Sequence, residues 1–589
     1  MPVVNQNTSE FHPDNFFPDQ TFYSACLNGD LDQVERSLAE GVNVNAVMTA
    51  DFTALMLASN RGHTDVVERL INAGANLDAA RSNGATALFI AAVYGNTDCV
   101  KLLINAGAAL NARTEDNATP LFAAVALGNT ECVKRLIKAG ALLNARTRNG
   151  ATPLFIAAQN GNTDCLIILI KAGADLNAAK IKDGATPLFM AARKNNTDCL
   201  KILIEAGADL NIYRTSDGAT PLYVAAAKGH TDCVEILINA GADLNISQTS
   251  DGATPLFIAA QKNNTGSVKL LINAGADLNA RTRNGATPLF IAAQKNNTGS
   301  VKLLINAEAD INAQTNNGSN PPFVAAQNGN TDCLKILIEV GADLNIYRTS
   351  DGATPLYVAA AKGHTDCVEI LINAGADLNI SQTSDGATPL FIAAQKNNTG
   401  SVKLLINAGA DLNARTRNGA TPLFIAAQEN NTDCVKLLIN AGADINAQTN
   451  NGSNPPFVAA QNGNTDCLKI LIEAGAALNA ARITDGATPL FAAAANGNSD
   501  CVERLINAGA DLNVRTKTGA TPLYVAAAKG NTDCVELLIN AGADLSAART
   551  KDGATPVFAA AAKGNTDCVE LLINAGAELG TKERRHAVQ

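Results

Sequence analysis

The sequence predicts an all-α repeat solenoid, a curved stack of helix pairs in which a β-hairpin or turn precedes each pair. Three observations predict it. A capping Thr or Asn returns every 33 or 34 residues from Thr53 to Thr555, sixteen times in phase. Twelve of the thirteen cysteines stand at one position of successive repeats, from Cys99 to Cys568. Tryptophan is absent and charged residues make up only 17% of the chain, while Ala, Asn, Gly and Leu recur in fixed order. Such a period marks a repeat array rather than a string of globular domains.

Residues 149–181 show why each element forms. Asn149-Gly150 is a turn dipeptide that tolerates positive φ at a hairpin tip. Thr152-Pro153 opens a helix, the hydroxyl as N-cap and Pro at the first helical position. Leu154, Phe155, Ala157 and Ala158 make one side of it apolar, and the alanines admit a close neighbour. Gly161 ends it as a left-handed C-cap. Asn162-Thr163-Asp164 begins a second helix with an acid in its first turn. Cys165, Leu166, Leu169 and Ile170 supply its core stripe at helical spacing, and Gly173 stops it.

The expected organisation is an N-terminal tail at 1–20, a capping helix pair at 21–50, the repeat array at 51–580 and a C-terminal tail at 581–589. Residues 213–346 and 347–480 align without a gap and differ at seven positions, the mark of a tandem duplication. Glu308 stands where Gly442 stands in the second copy. A left-handed C-cap occupied by Glu predicts a weak point there.

Several classes of function are disfavoured. Stacked helices lie roughly 8–10 Å apart, beyond the reach of a disulfide. The cysteine column therefore reads as small buried hydrophobes of a reduced protein, and one column cannot converge four ligands on zinc. Neither a cofactor nor a metal is expected. Of five histidines, His63, His230 and His364 fill a Gly-His capping position between helices, and His12 and His586 lie in the tails. No metal-protease, phosphate-loop or nucleophile-elbow motif appears, so the chain is not expected to be an enzyme. Residues 1–20 lack a basic start and a continuous apolar stretch, and no run is long enough to span a bilayer. The expectation is a soluble, cytoplasmic protein.

The ordered series of hairpin, T-P-L-x-x-A-A helix, second helix and G-A-D-L-N exit resembles the ankyrin-repeat family over roughly residues 21–580. The resemblance implies an L-shaped unit stacked into a curved superhelix that binds proteins. It also extends to the all-ankyrin effectors of intracellular bacteria and to eukaryotic adaptors. One departure stands out. Where the family has His after T-P-L, bonding between repeats, this chain has Phe or Tyr, as at Phe89, Phe155, Tyr223 and Phe457. The expectation is that a buried aromatic column replaces that polar link.

Two surfaces are left for function. The concave face, formed by hairpins and the exposed ends of the first helices, carries Arg193, Lys194, Lys228, Lys262 and Lys362. The hairpin approach, six residues before each capping residue, carries Arg113, Arg146, Lys180, Arg214 and Arg281, with Tyr213 alongside. It continues through Arg348, Arg415, Arg482, Arg515 and Arg549, with Tyr347 alongside. The remaining positions of this column hold Gln, so a net charge of −10 conceals a basic edge. The expected role is a scaffold that holds a protein partner, acidic or extended, along these two surfaces. A second reading is self-association through an uncapped C-terminal repeat, and a third is polyanion binding. Nucleic acid is disfavoured because interleaved aromatics are limited to Tyr213 and Tyr347.

Overall fold

The structure, a computed structural model, describes residues 18–48, 51–248 and 250–578. Among them are 34 helices in consecutive antiparallel pairs and no strand. The chain divides into two compact units, residues 1–283 and 284–589. The first contains the helices from Pro18–Asn28 to Thr265–Asn273, the second those from Pro288–Gln294 to Thr566–Asn574. Of the tail assigned to 1–20, residues 1–17 lie outside the described residues, while Pro18 already opens a helix. The basic run Lys582-Glu583-Arg584-Arg585 lies outside them as well.

In the first unit, Thr152 Oγ1 accepts the Phe155 N–H at 3.2 Å and caps the helix Pro153–Asn160. Gly161, at φ 76°, terminates it. The second helix, Thr163–Lys171, buries Cys165, Leu166 and Leu169. Ala157 and Ala158 are fully buried, and in most layers an Ala pair at this position lets successive first helices pack closely. The second unit repeats the scheme. Asn454 Oδ1 accepts the Phe457 N–H at 3.0 Å above the helix Pro455–Asn462, and Gly463 ends that helix at φ 74°.

The segments between pairs are turns joined by single backbone bonds rather than paired strands. Arg148 N–H donates to Asp116 O at 2.7 Å, and Lys517 N–H to Asp485 O at 2.8 Å. In most layers one such bond holds successive turns in line without forming a ladder. Gly150, at φ 87°, sits so close under the next turn that a Cβ there would run into the Ile181 backbone nitrogen.

The aromatic residues after the caps do enter the core. Phe155, Phe189, Phe323 and Phe457 are at most 2% exposed, whereas Phe89, Phe122, Phe491 and Phe558 are half-buried. Phe457 packs on Ala487 and Ala492 of the following repeat. The polar link between repeats has not been lost with the histidine, however. It has moved to two other positions. Asn162 Nδ2 donates to Val125 O at 2.7 Å and Ala126 O at 3.1 Å, satisfying carbonyls at the end of the preceding first helix. Asn464 does the same for Ala427 O and Gln428 O, both at 2.8 Å. The exit asparagine then accepts from the next layer: Asp175 N–H donates to Asn144 Oδ1 at 3.0 Å and Asp444 N–H to Asn413 Oδ1 at 2.9 Å.

His63, His230 and His364 belong to the first of these sets. They sit at the N-cap of their helices but make no side-chain cap bond. Their Nε2 atoms face Leu27 O, Arg193 O and Gln327 O at 2.9, 3.2 and 3.1 Å. A carbonyl can only accept, so each ring donates through Nε2. The expected capping role gives way because a carbonyl freed at the preceding helix end needs a donor that only this position can supply.

Several layers depart from the pattern. Ser267 and Ser401 replace the column cysteine, are fully buried, and leave Oγ without a hydrogen-bond partner. Glu308 is held at φ 67°, in the region that Gly442 occupies at φ 93°. A buried unpaired hydroxyl costs about 1–3 kcal/mol, so Ser267→Cys should raise local stability within that range. Glu308→Gly should add about 1 kcal/mol. Hydrogen exchange on the helices Thr265–Asn273 and Thr298–Asn306 would measure both gains, and unchanged protection would contradict them.

Candidate interaction surfaces

The hairpin column divides into two chemical sets because repeats of 34 residues make a wider turn than repeats of 33. In the wide turn the Gly N–H bonds four residues back, as Gly218 to Arg214 O at 2.7 Å; in the tight turn it bonds three back, as Gly150 to Thr147 O at 2.8 Å. Widening the turn makes the basic residue its flanking residue, with an Asp three positions on. Arg214, Arg348, Arg482 and Arg549 each form a two-pronged pair with Asp217, Asp351, Asp485 and Asp552. The same guanidinium groups lie 5.1, 5.3, 4.9 and 5.3 Å from the ring centres of Phe189, Phe323, Phe457 and Tyr524. Lys180 Nζ sits 5.8 Å from the Phe155 ring. All five cations are half-buried. Each lies over the aromatic ring of the preceding repeat, so its charge also serves the framework.

In the tight-turn repeats the basic residue is one step further from the turn and reaches onward instead. Arg146 Nη1 donates to Ala179 O, Arg415 Nη2 to Gln448 O, and Arg515 Nη1 to Ala548 O at 2.7 Å. Arg113, Arg281, Arg415 and Arg515 remain exposed. Tyr213 and Tyr347 are 52% and 53% exposed. Each immediately precedes a wide-turn arginine, at the step that the basic residue occupies in the tight-turn repeats.

The second surface is the exposed end of the first helices. Arg193, Lys194, Lys228 and Lys262 in the first unit, and Lys362 in the second, are exposed. No first helix from Ala54–Arg61 to Pro255–Lys262 contains an acidic residue. The second helices carry the acids in their first turns, as Asp164, Asp198 and Asp232. These first helices are thus free of anionic groups, whereas second helices carry both signs, as Asp98 with Lys101 and Asp198 with Lys201.

The family comparison agrees with this geometry. A model of ankyrin repeats (three copies per match) fits residues 22–114, 109–180, 177–248 and 244–315, then 299–382, 375–449, 441–516 and 493–583. The chain belongs to the ankyrin-repeat family. Ankyrin repeats are generally protein-interaction modules, and ankyrin-repeat proteins are typically non-enzymatic scaffolds. No curated protein matches the chain.

The remaining chemistry of this ankyrin array is inward. All thirteen cysteines are free and buried. Burial, reinforced by the Asp that precedes each, pushes the Cys233 and Cys434 thiols up to about 11 and Cys333 and Cys467 to about 12. Such thiols are poor nucleophiles at neutral pH. Among the described residues no group of three or more His, Cys, Asp or Glu is placed to hold a metal, and no helix is long and apolar enough to cross a membrane. Two exposed apolar residues on the first-helix face, Tyr94 and Leu127, escape notice in the sequence because they lie outside the basic pattern; they are 54% and 59% exposed.

The paired arginines make a testable distinction. Hydrogen bonding to Arg214 holds Asp217 below the ordinary carboxylate range, and Asp351 is held down by Arg348 in the same way. A depressed native pKa contributes stability that is complete above the unfolded value of about 4 and is lost as pH falls through the native one. Arg214→Gln should cost about 1 kcal/mol near pH 7, and less as pH drops below 4. Denaturant titrations of wild type and variant at pH 7 and pH 3 would show whether the difference shrinks as required.

Proposed function

We propose that this array is a non-enzymatic scaffold that binds a protein partner along the hairpin turns and the exposed ends of its first helices. The observation that carries the reading is an internal contrast among the repeats. At framework positions successive layers are nearly identical: capping Thr or Asn, buried Ala pair, bridging Asn or His, exit Asn. At the end of the first helix the exposed residue differs among layers, as at Tyr94, Leu127, Asn160, Lys194, Asn328, Lys362 and Glu429, although Lys recurs in the four successive layers from Lys194 to Lys295. A surface that varies on a backbone that does not is how a repeat protein presents a composite binding site.

The hairpin cations contribute through their exposed set, Arg113, Arg281, Arg415 and Arg515. The half-buried set, Arg214, Arg348, Arg482 and Arg549, holds the turns in place. Affinity capture with mass spectrometry should recover a defined protein from the intact chain. Replacing the exposed set by Gln should deplete it several-fold, because exposed rim charges govern association more than folding. Recovery of the same protein in equal amount would remove the hairpin edge from the site. Retention on heparin with no protein captured would favour polyanion binding, and concentration-dependent growth in size would favour self-assembly.

A further inference from the structure

We infer that the first-helix face of the first unit, from Tyr94 to Lys262, takes an extended acidic segment of a partner protein that carries apolar side chains at one end. This rests on the scaffold reading and gives it a specific address. Tyr94 ends the helix Ala87–Tyr94 and Leu127 ends Pro120–Leu127, the first helix of the next layer. Both side chains are more than half exposed. Asn160 continues the row, its Nδ2 donating to Ala126 O at 2.9 Å beside Leu127. Arg193 and Lys194, Lys228 and Lys262 then occupy the next three layers, all exposed.

Charge complementarity decides the partner's chemistry. The ion pairs found among the described residues involve none of these four cations. The first helices that carry them have no acid of their own. This contrasts with the wide-turn arginines, whose charges are each matched by an aspartate. In the second unit the corresponding row is broken by Glu429 and Asn462 and has no exposed Tyr or Leu. The first unit therefore presents an apolar pair followed by unmatched positive charge, and the second does not.

The spacing decides the partner's form. Layers of stacked helices are roughly 8–10 Å apart, and a polyproline-type chain returns a side chain to one face every third residue, about 9.3 Å. A segment of about twelve extended residues would run from Leu127 to Lys262, with an acid at every third position and an apolar residue at the Tyr94–Leu127 end.

The test uses the full chain and four labelled peptides read by fluorescence anisotropy. The first has two Leu three apart followed by Glu at every third position on a Ser/Pro background. The others are its reverse, a shuffled version and a version with Ser for Leu. The first peptide or its reverse should bind at least about tenfold more tightly than the shuffled and Leu-free ones, as spaced anchors and matched charges require. Replacing Arg193, Lys194, Lys228 and Lys262 by Gln should weaken it at least about tenfold and flatten its salt dependence. Tyr94→Ala with Leu127→Ala should reduce it to the Leu-free level. Circular dichroism establishes that each variant is folded, and Lys228→Glu alone serves should the fourfold variant unfold.

Equal binding of the shuffled peptide, or affinity unchanged in the charge variant, overturns the inference. So does heparin competing fully while the Tyr94 and Leu127 changes have no effect, which would make the stripe a polyanion site. A chain that binds none of the peptides yet still captures a protein through its hairpins overturns this inference and leaves the scaffold reading standing.

Discussion

A helix pair of eight and nine residues cannot stand alone, because its alanine face is too small to bury itself and the carbonyls at its helix ends have no partners. Contact with the next layer satisfies both needs at once. Ala157 and Ala158 admit the neighbouring first helix, and the bridging asparagine reaches the carbonyls that the preceding helix leaves open. The apolar and polar halves of the interface depend on each other. The carboxamide reaches its carbonyls only because alanines let the helices come close, and that approach is tolerable only because the carbonyls are bonded.

The same economy governs the charges. A basic residue at the hairpin approach belongs to the layer interface whenever the wide turn sets an aspartate opposite it and an aromatic ring beneath it, as at Arg348 over Phe323. Where the tight turn removes the aspartate, the guanidinium bonds a neighbouring carbonyl and keeps its charge exposed, as at Arg515. One residue of repeat length thus decides whether an arginine is matched by an aspartate or keeps its charge at the surface. The distinction concerns turn geometry, and the same letter in the sequence carries both meanings.

Much of the fold was legible because periodic features have local causes. Thr152 before Pro153, Gly161 after the first helix and the Cys165 column each state their role through spacing alone. The polar links were harder to read. Asn144 and Asn162 look like ordinary turn and capping residues, and their role appears only when the layer 31 to 37 residues away is placed beside them. For the same reason the aromatic column was expected to replace the link between repeats when it accompanies a relocated one. At the candidate surfaces the sequence picked out Lys194, Lys228 and Lys262 by charge. It could not separate Arg214 from Arg415, nor single out Tyr94 and Leu127, whose exposure depends on the end of the helix they occupy.

The duplicated block shows how far framework and surface are independent. Of the seven differences between its copies, Gly299, Ser300 and Glu308 give way to Asp433, Cys434 and Gly442, residues that suit a helix start, a buried column and a left-handed cap. Lys295, Val340 and Asp343 are exposed, and their replacement by Glu429, Ala474 and Ala477 alters the surface. The Asp343 change is instructive. Its backbone N–H donates to Asn312 Oδ1 at 2.9 Å, and the Ala477 N–H donates to Asn446 Oδ1 in the same way at 2.8 Å. Because the link ends on the backbone, the side chain at that position can change without breaking the stack. An interface that recognises its neighbour through backbone groups leaves exposed side chains open to vary, and a row of such positions can be fitted to a partner one layer at a time.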